Sequence, residues 1–209
     1  MLYTGIKGSI ITDMVTMLFI MIVCTIIVPW TIYELGGITT VLSGLGGVNG
    51  NYLEWNSPES FQLMLTFGIP AVISLMSGPF GDQTFWQRSF SFKEGTVFKS
   101  FLLGAFMFMF VPLSLAMLGF AAAGSGMDVS SAQLVNVEAV RNVLPSIVLF
   151  PFVLMFLSGL CSTLDSNMSA ISSFAGHDWA GADDNQHSLT KARISMVALL
   201  AAGIGVAHI

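Results

Sequence analysis

Charged residues are scarce in this sequence. Asp, Glu, Lys and Arg together make up 9% of its 209 residues, whereas a soluble domain contains about 25%. The mean hydropathy is +0.80. So few charges exclude an ordinary globular domain and predict an integral membrane protein.

Cysteine is nearly absent, and the common catalytic and metal-binding patterns are missing. Cys24 and Cys161 both lie in apolar stretches, so no disulfide framework is expected. The sequence has no Ser/His/Asp triad, phosphate-binding glycine loop or Cys/His zinc spacing. We therefore expect no enzymatic activity, no cofactor and no nucleic-acid partner.

A group of histidines and acids follows the fourth apolar run. His177 and His187 flank Asp178, Asp183 and Asp184. A metal site needs tighter convergence of its ligands, so a solvated cytoplasmic turn is the favoured interpretation.

Five apolar runs have lengths near that of a membrane-spanning helix. They cover residues 10–32, 61–80, 97–123, 147–174 and 194–209. The N-terminal residues run straight into the first of them, so a signal peptide is not expected. The last run reaches only ~24 Å as a helix, so we expect the chain to stop inside a helix.

The basic residues assign an orientation to these five spans. Arg141 stands alone on one side, and six basic residues share the other: Lys7, Arg88, Lys93, Lys99, Lys191 and Arg193. By the positive-inside rule, the N-terminus is cytoplasmic. We expect a multi-pass protein of the cell's inner (plasma) membrane. The outer loops are then 33–60, with one short helix, and 124–146, with a short interfacial helix over 135–144.

The end of the second span carries helix-breaking residues. The segment from Ser77 to Gln83 contains Gly78, Pro79 and Gly81, so the helix is expected to open there and to line a substrate pathway. That pathway would include Ser77, Gly78, Phe80, Gln83 and Trp86. In the alternative, the helix simply ends and Asp82 is the first cytoplasmic charge. Trp86 could instead belong to an interfacial belt, and Gln83 and Gln87 could either hydrogen-bond a ligand or connect helices.

The fourth span carries a stripe of hydroxyl groups and one carboxylate. Ser162, Asp165, Ser166, Ser169, Ser172 and Ser173 fall on one face of a helix. A carboxylate within the bilayer costs at least ~2.5 kcal/mol, so this face is expected to point at protein or water. Rows of oxygen atoms suit a hard cation such as Na⁺.

Asp13 begins the first span and has two possible roles. Either Asp13 or Thr12 could cap the N-terminus of the helix. Asp13 could instead face Asp165 and Ser166 of the fourth span. Two neighbouring carboxylates in a low dielectric need a cation or a proton between them, which makes this pair a candidate cation or proton site.

Three segments resemble the sodium/solute symporter family, whose fold is a LeuT-type inverted repeat of five plus five helices. Tyr3–Asp13 is similar to the stretch joining core helices four and five. Asp82-Gln83 with Trp86-Gln87-Arg88 is similar to the inner end of core helix six. Ser162–Ser173 with His177-Asp178-Trp179 is similar to core helix eight.

The resemblance implies an all-α partial transmembrane domain of a transporter bundle over residues 1–209, matching core helices five to nine. It is strongest to the urea-transporter-like or an uncharacterised bacterial branch. The family's sodium site would use the carbonyl of Gly159 and the hydroxyls of Ser162 and Thr163. Its other half would lie on core helix one, among the missing helices of the same transporter.

The resemblance also implies a second cation site in some members. Asp13, Ser162, Asp165 and Ser166 match its positions, although such members carry a hydroxyl in place of Asp165. This extra acid would strengthen cation binding or accept a proton. The aromatic gate of the family's sugar transporters falls near Gly78, which argues against a sugar substrate.

The leading hypothesis is sodium-coupled import of a small organic solute by alternating access. The alternative is the symporter-like membrane domain of a sensor or signalling protein. An unselective channel or structural subunit would fit the hydropathy but would leave the hydroxyl stripe unexplained.

Overall fold

The computed structural model describes residues 5–48, 50, 54, 56–178 and 185–208. Within them the chain forms nine α-helices and no strand. The helices are α1 (Gly5–Glu34), α2 (Ile38–Ser43), α3 (Pro58–Leu63), α4 (Ile69–Gly81), α5 (Gln83–Ser91), α6 (Val97–Gly124), α7 (Val135–Val143), α8 (Ser146–Ser173) and α9 (Asn185–Ala207).

Five helical segments are long and apolar enough to cross a membrane. They are Lys7–Glu34, Pro58–Gly81, Val97–Gly124, Ser146–Gly176 and Leu189–Ala207. Many of their large side chains lie on the surface: Leu75 is 77% exposed and Phe98 is also 77% exposed. Such a surface suits lipid or further protein rather than water, so the expectation of an all-α membrane protein is confirmed.

The short helices of the two predicted outer loops are also present. α2 lies in the first loop and α7 in the second, as predicted. Glu138 of α7 accepts hydrogen bonds from the backbone N–H (3.0 Å) and the hydroxyl of Ser130. The hydroxyl bond, followed by the backbone bond, lowers the pKa of Glu138 below its ordinary value of 4.5.

The second span is interrupted within the segment from Ser77 to Gln83, where an opening was predicted. α4 stays helical through Pro79 to Gly81, and the interruption lies at Asp82. α4 ends because Asp82 takes an extended conformation, and the Asp82 carboxylate accepts a hydrogen bond of 2.8 Å from the backbone N–H of Thr84. Asp82 is thus the N-cap of α5, which begins directly after it. The role of this interruption in a substrate pathway stays a prediction.

Two other helical features differ from the sequence predictions: a π turn inside the second span and an earlier start of the last helix. A π turn over Met64–Gly68 joins α3 to α4 inside the second span. α9 begins at Asn185, well before the predicted residue 194. Its first turns are polar, but Lys191, Ala192 and Arg193 are good helix formers, so the helix extends beyond the apolar run.

The described residues divide into two compact units. The polar unit contains α1 up to Thr16, Asp82–Phe92, and the chain from Gly159 onwards. The apolar unit contains Met17–Gly81 and Lys93–Ser158.

The apolar unit has a dense hydrophobic core. Phe152 and Leu118 are fully buried, and Phe152 meets Phe156 edge to face with ring centroids 5.3 Å apart. The Cys24 thiol lies 3.5 Å from the Met155 sulfur, and neither cysteine forms a disulfide. The same core is completed by Val23, Ile27, Val28, Ala122, Ala139, Val140 and Leu144.

Two glycines allow backbone to pack on backbone between α2 and α6. A Cβ atom added to Gly44 would lie 1.9 Å from the carbonyl oxygen of Phe120, and one added to Gly124 would lie 2.0 Å from that of Thr40. No other residue type fits either position without moving the chain.

Candidate functional site

Asp13 is in contact with two other helices of the polar unit. Because α1 already includes Gly5, Asp13 occupies the third helical turn, and its interpretation as an N-terminal cap is wrong. The carboxylate accepts a bond of 2.5 Å from Arg88 Nη2 through Oδ2 and one from the Ser162 hydroxyl through Oδ1. Asp13 therefore joins α1 to both α5 and α8.

Arg88 makes a second contact with α8. Its Nη2 also donates to the hydroxyl of Ser166 at 2.7 Å. The side chain of Arg88 is 43% exposed and that of Asp13 is 17% exposed, so the carboxylate is the more sheltered partner. Arg88 lies in the last turn of α5, where the helix dipole favours a positive charge.

A third polar contact connects α5 to α8. Gln87 Nε2 donates to the backbone carbonyl of Ser169, and the Ser169 hydroxyl donates to Gln87 Oε1, each at 3.2 Å. Ser169 is only 8% exposed. Of the two roles considered for Gln87, the structure places it between helices.

The hydroxyl stripe therefore faces protein, as predicted. Ser162, Ser166 and Ser169 all contact α1 or α5 and are buried or half-buried, while Thr163 and Leu164 between them are exposed. The Ser172 hydroxyl donates to the backbone carbonyl of Ser169 at 2.8 Å.

A cleft of about 520 Å³ opens beside Asp13. Asp13 and Asp165 both line it, so the structure brings these two carboxylates to one cavity. Asp165 is half-buried and has no hydrogen bond or ion pair within the described part of the chain. The remaining lining residues are Gly8, Ile11, Thr12, Thr16, Cys161 and Ser162.

The three residues of the predicted sodium site lie within little more than one turn of α8. The Thr163 hydroxyl donates to the Gly159 carbonyl at 3.0 Å, and the Ser162 hydroxyl donates to Asp13. A hydroxyl that donates its proton keeps its oxygen lone pairs for a cation. Both hydroxyls therefore remain able to act as sodium ligands.

The predicted substrate pathway is divided between the two units. Ser77, Gly78 and Phe80 belong to the apolar unit, whereas Gln83 and Trp86 belong to the polar unit. The Ser77 hydroxyl donates to the Ser74 carbonyl of its own helix at 3.0 Å. A shared role of these residues in a pathway stays a prediction.

The ion pair of Arg88 with Asp13 was not predicted from the sequence. There, Arg88 contributed only to the membrane orientation and to the segment that resembles the inner end of core helix six. The available signal was the carboxylate of Asp13 inside an apolar run, since such a group needs a cationic partner.

The histidine and acid group after α8 lies outside the residues whose side chains are described. Among the side chains that are described, no group of three His, Cys, Asp or Glu residues could hold a metal ion.

The sequence of this chain matches a known protein family. The family model described as Sodium:solute symporter family matches residues 1–205. Neither the curated proteins nor the solved structures gave a significant match. The family match spans nearly the entire chain and confirms the resemblance drawn from its three segments.

Proposed function

This chain belongs to the sodium:solute symporter family, whose members couple solute transport to Na⁺, and we propose that its polar unit binds the coupling cation during import of a small organic solute. Alternating access across the plasma membrane, with the N-terminus cytoplasmic, is part of this proposal. The alternative of a signalling membrane domain has no observation in its favour.

The observation that carries the proposal is the bond from the Ser162 hydroxyl to Asp13. It fixes the direction of the hydroxyl proton and leaves the oxygen lone pairs directed elsewhere. Partners of this kind orient a ligand and increase its basicity. We assign the first sodium site to Ser162 with the Gly159 carbonyl and the Thr163 hydroxyl, completed by core helix one.

The charge of the cleft supports cation binding. Asp13 is neutralised by Arg88, but Asp165 has no cationic partner among the described residues. An uncompensated carboxylate in a membrane segment is costly, and Na⁺ or a proton removes that cost. Asp165, with Asp13 and Ser166 beside it, is the proposed second cation or proton position.

The test is solute uptake by the full-length protein in vesicles, with Na⁺ replaced by choline. The Ser162→Ala and Thr163→Ala variants should need higher Na⁺ concentrations for half-maximal uptake. Ser114→Ala is the matched control, because its hydroxyl donates to Phe110 of its own helix in the apolar unit. Unchanged Na⁺ dependence in both site variants would refute the assignment.

A further inference from the structure

Thr16 lies one turn after Asp13 on α1 and lines the same cleft as Asp13 and Asp165. We propose that its hydroxyl oxygen is a further ligand of the second cation position, and that this position binds Na⁺ rather than a proton. This inference rests on the proposed function, since it names an additional ligand and the ion of the same site.

The first argument is the state of the Thr16 hydroxyl, which differs from that of every other threonine on α1. Thr12, Thr25 and Thr31 each donate to a carbonyl of the preceding turn, at distances between 2.7 and 3.1 Å. This is a common arrangement for threonine inside a helix. Thr16 is half-buried and makes no hydrogen bond within the described part of the chain. Its oxygen therefore keeps both lone pairs available to an ion in the cleft.

The second argument is the position of the hydroxyls around the cleft. Thr12 and Thr16 are four residues apart and share one face of α1, and Ser162 and Asp165 are three apart and share one face of α8. All four residues line the cleft. Oxygen atoms of two helices therefore surround one space.

The third argument concerns the kind of ion. A proton needs only one carboxylate oxygen, whereas a hard metal cation is held by several oxygen ligands. The cleft offers the Asp165 carboxylate, which has no cationic partner among the described residues, together with hydroxyls from α1 and α8. This set of ligands favours Na⁺.

The experiment uses Cys161 as a local reporter of the cleft. Its thiol is exposed and lines the cleft, whereas Cys24 is buried. The rate of labelling by N-ethylmaleimide is measured on the purified full-length protein in lipid nanodiscs as Na⁺ replaces choline. A Cys161→Ser variant identifies the labelling that belongs to other cysteines.

In the wild type, Na⁺ should slow the labelling of Cys161. Thr16→Val keeps the shape of the side chain but removes the ligand oxygen, so it should need about threefold more Na⁺ for the same protection. Thr16→Ser restores a hydroxyl and should match the wild type. Thr25→Val is the matched control on α1, because the Thr25 hydroxyl donates to Met21 of its own helix.

The Asp165→Asn background tests whether the two residues hold one ion. There, Thr16→Val should cause little further loss of protection, because the effects of two ligands of the same ion are not additive. Full additivity would place Thr16 and Asp165 on different ions and would contradict the inference.

Two other outcomes would overturn the inference while leaving sodium coupling intact. One is wild-type protection in Thr16→Val, which would leave Thr16 as a contact for water only. The other is a Thr16→Ser variant that behaves like Thr16→Val, which would show that the methyl group matters and the oxygen does not. Solute uptake that does not depend on Na⁺ in the wild type would instead refute the proposed function.

Discussion

The polar unit and the apolar unit are stabilised by different interactions. The apolar unit has a continuous buried core and a glycine contact between α2 and α6. The polar unit is held by an ion pair and by hydrogen bonds of serine and glutamine side chains. Close apolar packing allows a single arrangement of the side chains. A polar contact can be replaced by a bound ion, so the polar unit is the one suited to binding and releasing a cation.

The largest effect is expected from adding a methyl group to the glycine contact of the apolar unit. Gly124→Ala should lower stability by roughly 3 kcal/mol, because overpacking a backbone contact forces the helices apart. Gly104→Ala is the matched control on α6, since its Cβ would meet nothing within 4 Å. Melting temperatures that are equal for the two variants would show that α2 and α6 do not pack as described.

The ion pair of the polar unit should respond to charge rather than to volume. Asp13→Asn leaves Arg88 without its carboxylate and should cost about 2 kcal/mol. The double variant Asp13→Asn/Arg88→Gln should recover part of that loss, with a coupling energy of about 1 kcal/mol in a double-mutant cycle. Strictly additive losses in denaturation midpoints would contradict the pairing.

Within the polar unit, we expect Asp165 to affect the affinity for Na⁺ and to have little effect on stability. Asp165→Asn removes a carboxylate that has no partner in the described chain, so the melting temperature without Na⁺ should change little. Its affinity for Na⁺ should fall about tenfold, equivalent to about 1.4 kcal/mol. A large loss of stability with normal Na⁺ affinity would make Asp165 a structural residue.

The smallest effect is expected from Glu138, on α7 of the apolar unit. Because folding lowers its pKa, the Ser130 contact stabilises the protein above pH 4.5 and is lost as the pH falls through the lowered value. Glu138→Gln should remove this part of the acid sensitivity. It is checked by comparing the melting temperatures of wild type and variant between neutral and acidic pH; parallel curves would contradict it.

The sequence was most informative where the signal is local. Runs of apolar residues predicted the five spanning helices, and the spacing of Ser162, Ser166 and Ser169 predicted their common face. The helix α7 was also predicted, because Val135–Val143 is followed by Pro145. These features depend on hydropathy and periodicity, which are visible in short stretches.

Contacts between distant segments were not predictable in the same way. Arg88 and Asp13 are 75 positions apart, and the sequence around either residue does not indicate that the other is its partner. Gly44 and Gly124 resembled ordinary loop and helix-end glycines until their helices were placed together. Pro79 was expected to break α4, but the break depends on the conformation of Asp82.

The most direct measurement is binding of radioactive Na⁺ to the purified full-length protein. Wild type should bind Na⁺ saturably, and a Ser162→Ala/Asp165→Asn variant should lose that binding while Gly104→Ala retains it. Equal binding by the wild type and the Ser162→Ala/Asp165→Asn variant would show that the coupling ion binds elsewhere and that the polar unit has only a structural role.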